Sequence, residues 1–149
     1  MFASGKKVVS AGFASKFRVH RTANQSIPAT TWTKVQFNVE TGEGYDNNNE
    51  VDTVTNYRFT ASKAGWYHYD AIIRWFTGSN NHYIDVRKNG SNNISYGERD
   101  FVSGEGVSVA SGDIYLAVND YLEVWVYTSA AMNIYAGVGS CYFNGHRFG

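Results

Sequence analysis

Residues 57–76 read YRFTASKAGWYHYDAIIRWF. A single glycine, Gly65, stands ahead of a run that holds Trp66, Tyr67, Tyr69, Trp75 and Phe76. From Trp66 onward the run carries the two-residue period of a strand, so parity sorts it into two faces. The odd positions are Tyr67, Tyr69, Ala71, Ile73 and Trp75, a continuous apolar face that belongs in a core. The even positions are Trp66, His68, Asp70, Ile72, Arg74 and Phe76, large apolar groups mixed with charges. A sandwich buries one face of each sheet. Trp66, Ile72 and Phe76 would then form an exposed apolar patch, and a neighbouring subunit would cover it. Each such side chain contributes ~1.5–3 kcal/mol when buried. The polar groups between them would fix register more than add stability. Gly65 reads as a turn glycine that launches the strand.

The same period recurs along the chain. In DYLEVWVY (120–127), Leu122, Val124 and Val126 face one way and Tyr121, Glu123, Trp125 and Tyr127 the other. In HYIDVRK (82–88), Ile84 and Val86 alternate with Tyr83, Asp85 and Arg87. In WTKVQFNV (32–39), Val35, Phe37 and Val39 alternate with polar residues. FASKFRVH (13–20) is the first clear strand. Turn signals separate these runs, the strongest being Asn89-Gly90, with others at 77–81 and 110–113. Val107 and Val109 are odd-numbered whereas Ile114 and Leu116 are even, so a bulge or bend is expected at Gly112. The acidic stretch 41–52 is expected to be an irregular surface loop.

Composition agrees with an all-β reading. The chain has 149 residues, no net formal charge and 16% aromatic residues, with only 17% charged. Its polar mass is Asn, Ser, Thr and Gly, which suits antiparallel sheets with tight turns. No basic stripe points to nucleic acid, and no apolar window approaches the length of a membrane span. Cys141 is the one cysteine, so no intrachain disulfide forms, and it reads as a small buried hydrophobe.

Phe59, five residues, Gly65, then Tyr67 and Tyr69 is similar to the signature of the complement-1q globular heads, which are tumour-necrosis-factor-like jelly rolls. TKVQFN (33–38), KNG (88–90), NDYLEVWV (119–126) and CYFNGHRFG (141–149) resemble further family segments in the right order. Two positions depart from the pattern: Asp52 stands where the signature wants an aromatic, and Ala71 replaces its last aromatic. No collagen-like stalk is present in the 149 residues. The resemblance implies an antiparallel jelly-roll sandwich of about eight to ten strands over residues 13–149, assembled as a homotrimer. It implies a binding module and no enzyme. It also implies Phe143 in the core and Tyr142 toward the threefold axis. The expected core is Phe59, Tyr67, Tyr69, Ile73, Trp75, Leu122, Val124, Val126 and Phe143. The expected trimer interface is Tyr142, Trp66, His68, Ile72 and Phe76, with Gly65 and Gly90 as turn glycines.

Catalytic motifs are missing: no G-x-S-x-G elbow, P-loop or H-E-x-x-H occurs. His20, His68, His82 and His146 lack metal-ligand spacing, although His68 and Asp70 share a strand face. Asp46, Glu50 and Asp52 are hard oxygen ligands of the kind calcium takes, without EF-hand spacing. No cofactor is expected. Sequons at Asn24, Asn89 and Asn93 matter only in a glycosylating pathway.

The Asn-, Ser-, Gly- and Tyr-rich style resembles bacteriophage structural proteins. No apolar signal segment opens the chain, and residues 1–12 alone precede the domain. The expectation is a virion protein made in a host cytoplasm. More narrowly, it is a trimeric capsid cement or decoration protein that clamps the major capsid protein where three shell subunits meet. An N-terminal arm carrying Lys6, Lys7, Val8 and Val9 would help it dock. The alternative is a tail-fibre tip or receptor-binding protein of the same fold whose exposed aromatics stack on a surface glycan.

Overall fold

The computed structural model describes residues 14–76, 81–100 and 104–149. The docking arm with Lys6, Lys7, Val8 and Val9 lies outside the described residues, as does the turn expected at 77–81 apart from Asn81. Among the described residues there is no helix. The strands are β1 (Lys16–His20), β2 (Gln25–Ile27), β3 (Thr33–Lys34), β4 (Tyr45–Asp46), β5 (Val51–Asp52), β6 (Arg58–Thr60), β7 (Gly65–Trp75), β8 (Asn81–Lys88), β9 (Asn92–Asp100), β10 (Gly106–Leu116), β11 (Tyr121–Thr128), β12 (Met132–Ile134) and β13 (Cys141–Arg147). All pairings are antiparallel. One sheet runs β10–β7–β13–β1–β4, with β12 touching the end of β7 and carrying β2 beyond it. The other runs β5–β6–β11–β8–β9, with β3 also against β11. The two sheets pack face to face as a jelly roll. The strands beyond the expected eight to ten are pieces of two or three residues, too short to leave a period in the sequence.

The core lies where the inward faces meet. Phe59, Tyr67, Tyr69, Ile73, Trp75, Leu122, Val124, Val126 and Phe143 are all buried in it. Phe17 stacks on Phe59 at 4.4 Å between ring centroids and meets Phe143 edge-on at 5.0 Å, so one aromatic column ties β1, β6 and β13 together. Cys141 is fully buried, and burial pushes its thiol up to about 12. A thiol of that kind is inert at neutral pH.

Three local expectations need correction. No turn falls at 110–113 and no bulge at Gly112: β10 runs through both and pairs with β7 in unbroken register from Gly106↔Trp75 to Leu116↔Gly65. The inward residues of β10 are even-numbered throughout, and Ser108 and Ala110 are buried while Val107 and Val109 face outward. The inward side is small because β7 is large: Gly106 lies opposite Trp75, and Gly112 opposite Tyr69. A Cβ on Gly112 would come within 2.8 Å of the Tyr69 hydroxyl. Next, 41–52 is not an irregular solvated loop. It contributes β4 and β5, and Glu50 is buried where it accepts from the Ser15 hydroxyl and from Ser62 N at 3.0 Å. Finally, 32–39 is regular strand only at Thr33–Lys34. Beyond it Val35 N donates to Val124 O at 2.9 Å and Val39 bridges His20, so the chain stays extended alongside both sheets.

Two glycines carry backbone demands. Asn89 and Gly90 have φ of 54° and 80°, consecutive positive values in the three-residue connection between Lys88 of β8 and Asn92 of β9. Gly65 opens β7 at φ 153°, directly beneath the C-terminal residues. Trp66 N donates to Gly149 O at 2.6 Å and Phe148 N to Trp66 O at 2.9 Å. A Cβ on Gly65 would fall 2.2 Å from Gly149 O and 2.4 Å from Arg147 Nε. Gly65→Ala is therefore expected to cost about 2 kcal/mol or more, combining steric displacement with backbone strain. A denaturant midpoint unchanged from the parent would contradict this.

Candidate functional site

The long β7 strand has an outer face, and register lays that face out in rows. At one end Trp66 pairs with Tyr115, their rings edge-on at 5.9 Å. The next row is Asp113, His68, His146 and Lys16, followed by Ser111, Asp70, Asn144 and Arg18. Then come Val109, Ile72, Tyr142 and His20, and last Val107 beside Arg74. Apolar rows thus flank a polar band two rows deep. Trp66 is 49% exposed, Val107 37%, Val109 50% and Tyr115 50%, and each of these is an apolar group left facing water. Ile72 and Tyr142 are half-buried between them. β10, β7 and β13 therefore present two exposed apolar clusters on either side of a polar band, and exposed apolar groups gathered on one face mark an interaction site on a folded domain.

Of the five residues expected at the interface, Trp66, His68, Ile72 and Tyr142 lie on this face together. Phe76 sits just past the end of β7, and its ring packs on Tyr135 of the same chain with centroids 4.0 Å apart. It is half-covered without any partner molecule. Tyr142 is likewise braced from within: the Arg18 guanidinium lies 4.2 Å from its ring centroid and donates to Val138 O at 2.9 Å. Val107, Val109 and Tyr115 belong to the face and escaped the sequence reading. The phase flip assigned across Gly112 hid Val107 and Val109, whereas the small even residues Ser108, Ala110 and Gly112 were the signal for the inward side.

The polar band is organised by His68. Its Nδ1 lies 2.7 Å from Asp113 Oδ1 and its Nε2 3.1 Å from Asp70 Oδ2. Asn144 Nδ2 donates to the same Asp70 oxygen at 3.2 Å, and the His146 ring stands 5.6 Å away. The hydrogen bond to Asp113, helped by Asp70, raises the His68 pKa above the usual histidine range against the opposing effect of desolvation. The charged form is thus favoured by folding. Its stabilising contribution is fully present below the ordinary histidine value of ~6.5 and is lost as pH rises through the raised value. Thermal midpoints measured at ~pH 6 and ~pH 9 should therefore fall between the two, and His68→Gln should flatten that difference. An identical slope in the variant would contradict this assignment.

The carboxylates considered for calcium are engaged separately. Asp46 accepts from Val51 N at 2.7 Å and Asn48 N at 3.3 Å. Asp52 accepts from Val54 N, Thr55 N and Asn56 N, and these backbone donors hold its pKa down to about 2. Glu50 is buried between Ser15 and Ser62. Among the described residues no cluster of three or more His, Cys, Asp or Glu side chains is arranged to hold a metal.

A second aromatic group lies on the far side of the sandwich, on the outer face of the β11 sheet. There Trp32, Tyr83, Tyr96 and Tyr127 line a shallow cavity of about 230 Å³.

No protein-family model matches the chain, and no curated protein does. Solved structures do. The chain is similar to Eiger TNF from S. frugiperda, with a TM-score of 0.69 at 6% identity over 91% of this chain and 93% of that one. It is similar to the globular domain of zebrafish complement 1qA, with a TM-score of 0.68 at 16% identity over 91% and 98%. Murine APRIL matches with a TM-score of 0.67 at 11% identity over 90% and 98%. At such low identities the likeness is one of fold, and the fold it shows is the complement-1q and tumour-necrosis-factor jelly roll.

Proposed function

We propose that the chain is a non-enzymatic structural protein that works as a homotrimer, with the outer face of β10, β7, β13 and β1 packed between protomers. The observation that carries this reading is the row Val109–Ile72–Tyr142, flanked by Val107 and by Trp66–Tyr115. On this outer sheet face the protomer leaves Val107, Val109, Trp66 and Tyr115 exposed and covers Ile72 and Tyr142 only in part. The number three comes from the resemblance of the sequence and fold to complement-1q heads. Within the interface the His68–Asp113–Asp70 band would set the rotational register of the protomers.

The narrower role is capsid cement or decoration in a bacteriophage virion. The composition supports it, and so does the Lys6-Lys7-Val8-Val9 arm, whose cations and paired valines suit a shallow site on a shell. Three weak contacts held in one rigid body bind far more tightly than one. Purified protein added to undecorated capsids is expected to occupy threefold sites. A chain lacking residues 1–12 is expected to stay trimeric and to bind the shell poorly. Full occupancy without the arm would overturn the docking role, and labelling of tail tips instead of shells would favour the receptor-binding alternative.

A further inference from the structure

The outer face of the β11 sheet is the one that the proposed trimer leaves outside, and it carries a built aromatic cradle. Tyr83 on β8 pairs in register with Tyr127 on β11 and with Glu98 on β9. Trp32, just before β3, closes the group. Its ring centroid lies 5.6 Å from Tyr127, 6.3 Å from Tyr83 and 6.4 Å from Tyr96, and Tyr83 is 5.5 Å from both other tyrosines. The rings are tilted against one another by 31–67°, so they form walls around a depression. Four large aromatics converging on one cavity exceed what scattered surface residues explain.

The walls are held in place. Arg87 packs its guanidinium 5.0 Å from the Trp32 centroid and 4.6 Å from Trp125. Asp85, fully buried on the same strand, accepts from Arg87 Nε at 2.7 Å and fixes it there. At the rim the Tyr83 hydroxyl donates to Glu98 Oε1 at 2.9 Å, and Tyr96 stands 54% exposed. The arrangement is aromatic walls, a hydroxyl and an exposed carboxylate acceptor around about 230 Å³, somewhat below the ~300–1,000 Å³ of drug-sized pockets.

Two small ligand chemistries suit aromatic walls, a cation and a sugar ring. The cation reading meets a specific obstacle. Trp32 already carries the Arg87 guanidinium, so a second cation against that ring would be repelled. A neutral pyranose has no such cost. Its C–H edge packs on the ring faces, and its hydroxyls reach Glu98 and the tyrosine hydroxyls, as amphipathic aromatic sites allow. We infer that the cradle of Trp32, Tyr83, Tyr96 and Tyr127 is a binding site for a neutral hexose unit of a glycan, with Glu98 accepting from its hydroxyls. The site is complete within one protomer, so it does not depend on the trimer or on the capsid role.

The test is a titration of the full chain with glucose, galactose, mannose and N-acetylglucosamine and their oligosaccharides, read by tryptophan fluorescence and by retention on immobilised glycans. At least one neutral saccharide is expected to shift the fluorescence and to retain the protein. Trp32→Ala and the milder Tyr96→Ser are each expected to weaken retention at least tenfold with the fold intact by circular dichroism. Val54→Ser, at an exposed position away from the cradle, is expected to leave retention unchanged. Retention of no neutral saccharide would overturn the assignment. Retention insensitive to Tyr96→Ser in a folded protein would overturn it too, as would a response to tetramethylammonium alone.

Discussion

Ile72→Glu is expected to leave a folded monomer in place of the proposed trimer. Ile72 stands at the centre of the outer face, with Val109 on one side and Tyr142 on the other. In a protomer alone the position is only half-buried, so a glutamate there reaches water and the jelly roll survives. In the trimer the carboxylate would be enclosed beside Val109 and Tyr142, one row from Asp70; the nearest cations are engaged elsewhere, Arg74 with Glu105 and Arg18 over the Tyr142 ring and on Val138 O. Enclosing an unpaired charge costs ~3 kcal/mol or more per protomer. That corresponds to at least a hundredfold weaker association. Light scattering reads the mass and circular dichroism the fold. A variant that kept the parent's mass would place the protomer contact elsewhere.

Trp75→Ala should be the most damaging single truncation in the core. Trp75 is fully buried, its Nε1 donates to the Ser108 hydroxyl at 2.9 Å, and its ring meets His82 at 4.5 Å. Removing a buried tryptophan costs ~3–5 kcal/mol. The buried Ser108 hydroxyl loses its donor as well, which adds roughly 1–3 kcal/mol. Against the ~5–15 kcal/mol of a whole domain that is about a quarter or more of the stability. The change is best measured by urea unfolding in the Ile72→Glu background, where assembly no longer contributes. Trp66→Ala in the same background is expected to shift the midpoint much less, because that side chain is already about half exposed in the protomer. Equal losses at the two tryptophans would contradict the division of β7 into an inner and an outer face.

That division was legible because β7 is eleven residues long and its two sides differ in chemistry. The Asn89-Gly90 hairpin was legible because two consecutive positive φ values leave few residue choices. What the sequence hid were relations across strands. Val107 and Val109 look like core residues until β10 is set against β7, whose Trp75 and Tyr69 demand Gly106 and Gly112 opposite them. Glu123 and Asp85 sit at outward positions and yet are buried. Lys34 and Trp125 cover the first, and Arg87 covers the second. Such coverage depends on long side chains arriving from neighbouring strands, which parity along one strand cannot register. The aromatic cradle is of the same kind: outward parity marked Tyr83 and Tyr127, but only the register brings Trp32 and Tyr96 to them.

The proposed trimer places the outer face of β10, β7, β13 and β1 between copies of this chain. The most direct measurement is the mass of the purified protein in solution at micromolar concentration, by light scattering or sedimentation equilibrium. The expected mass is three times the 16.6 kDa of one chain. A stable particle of 16.6 kDa under those conditions would contradict it.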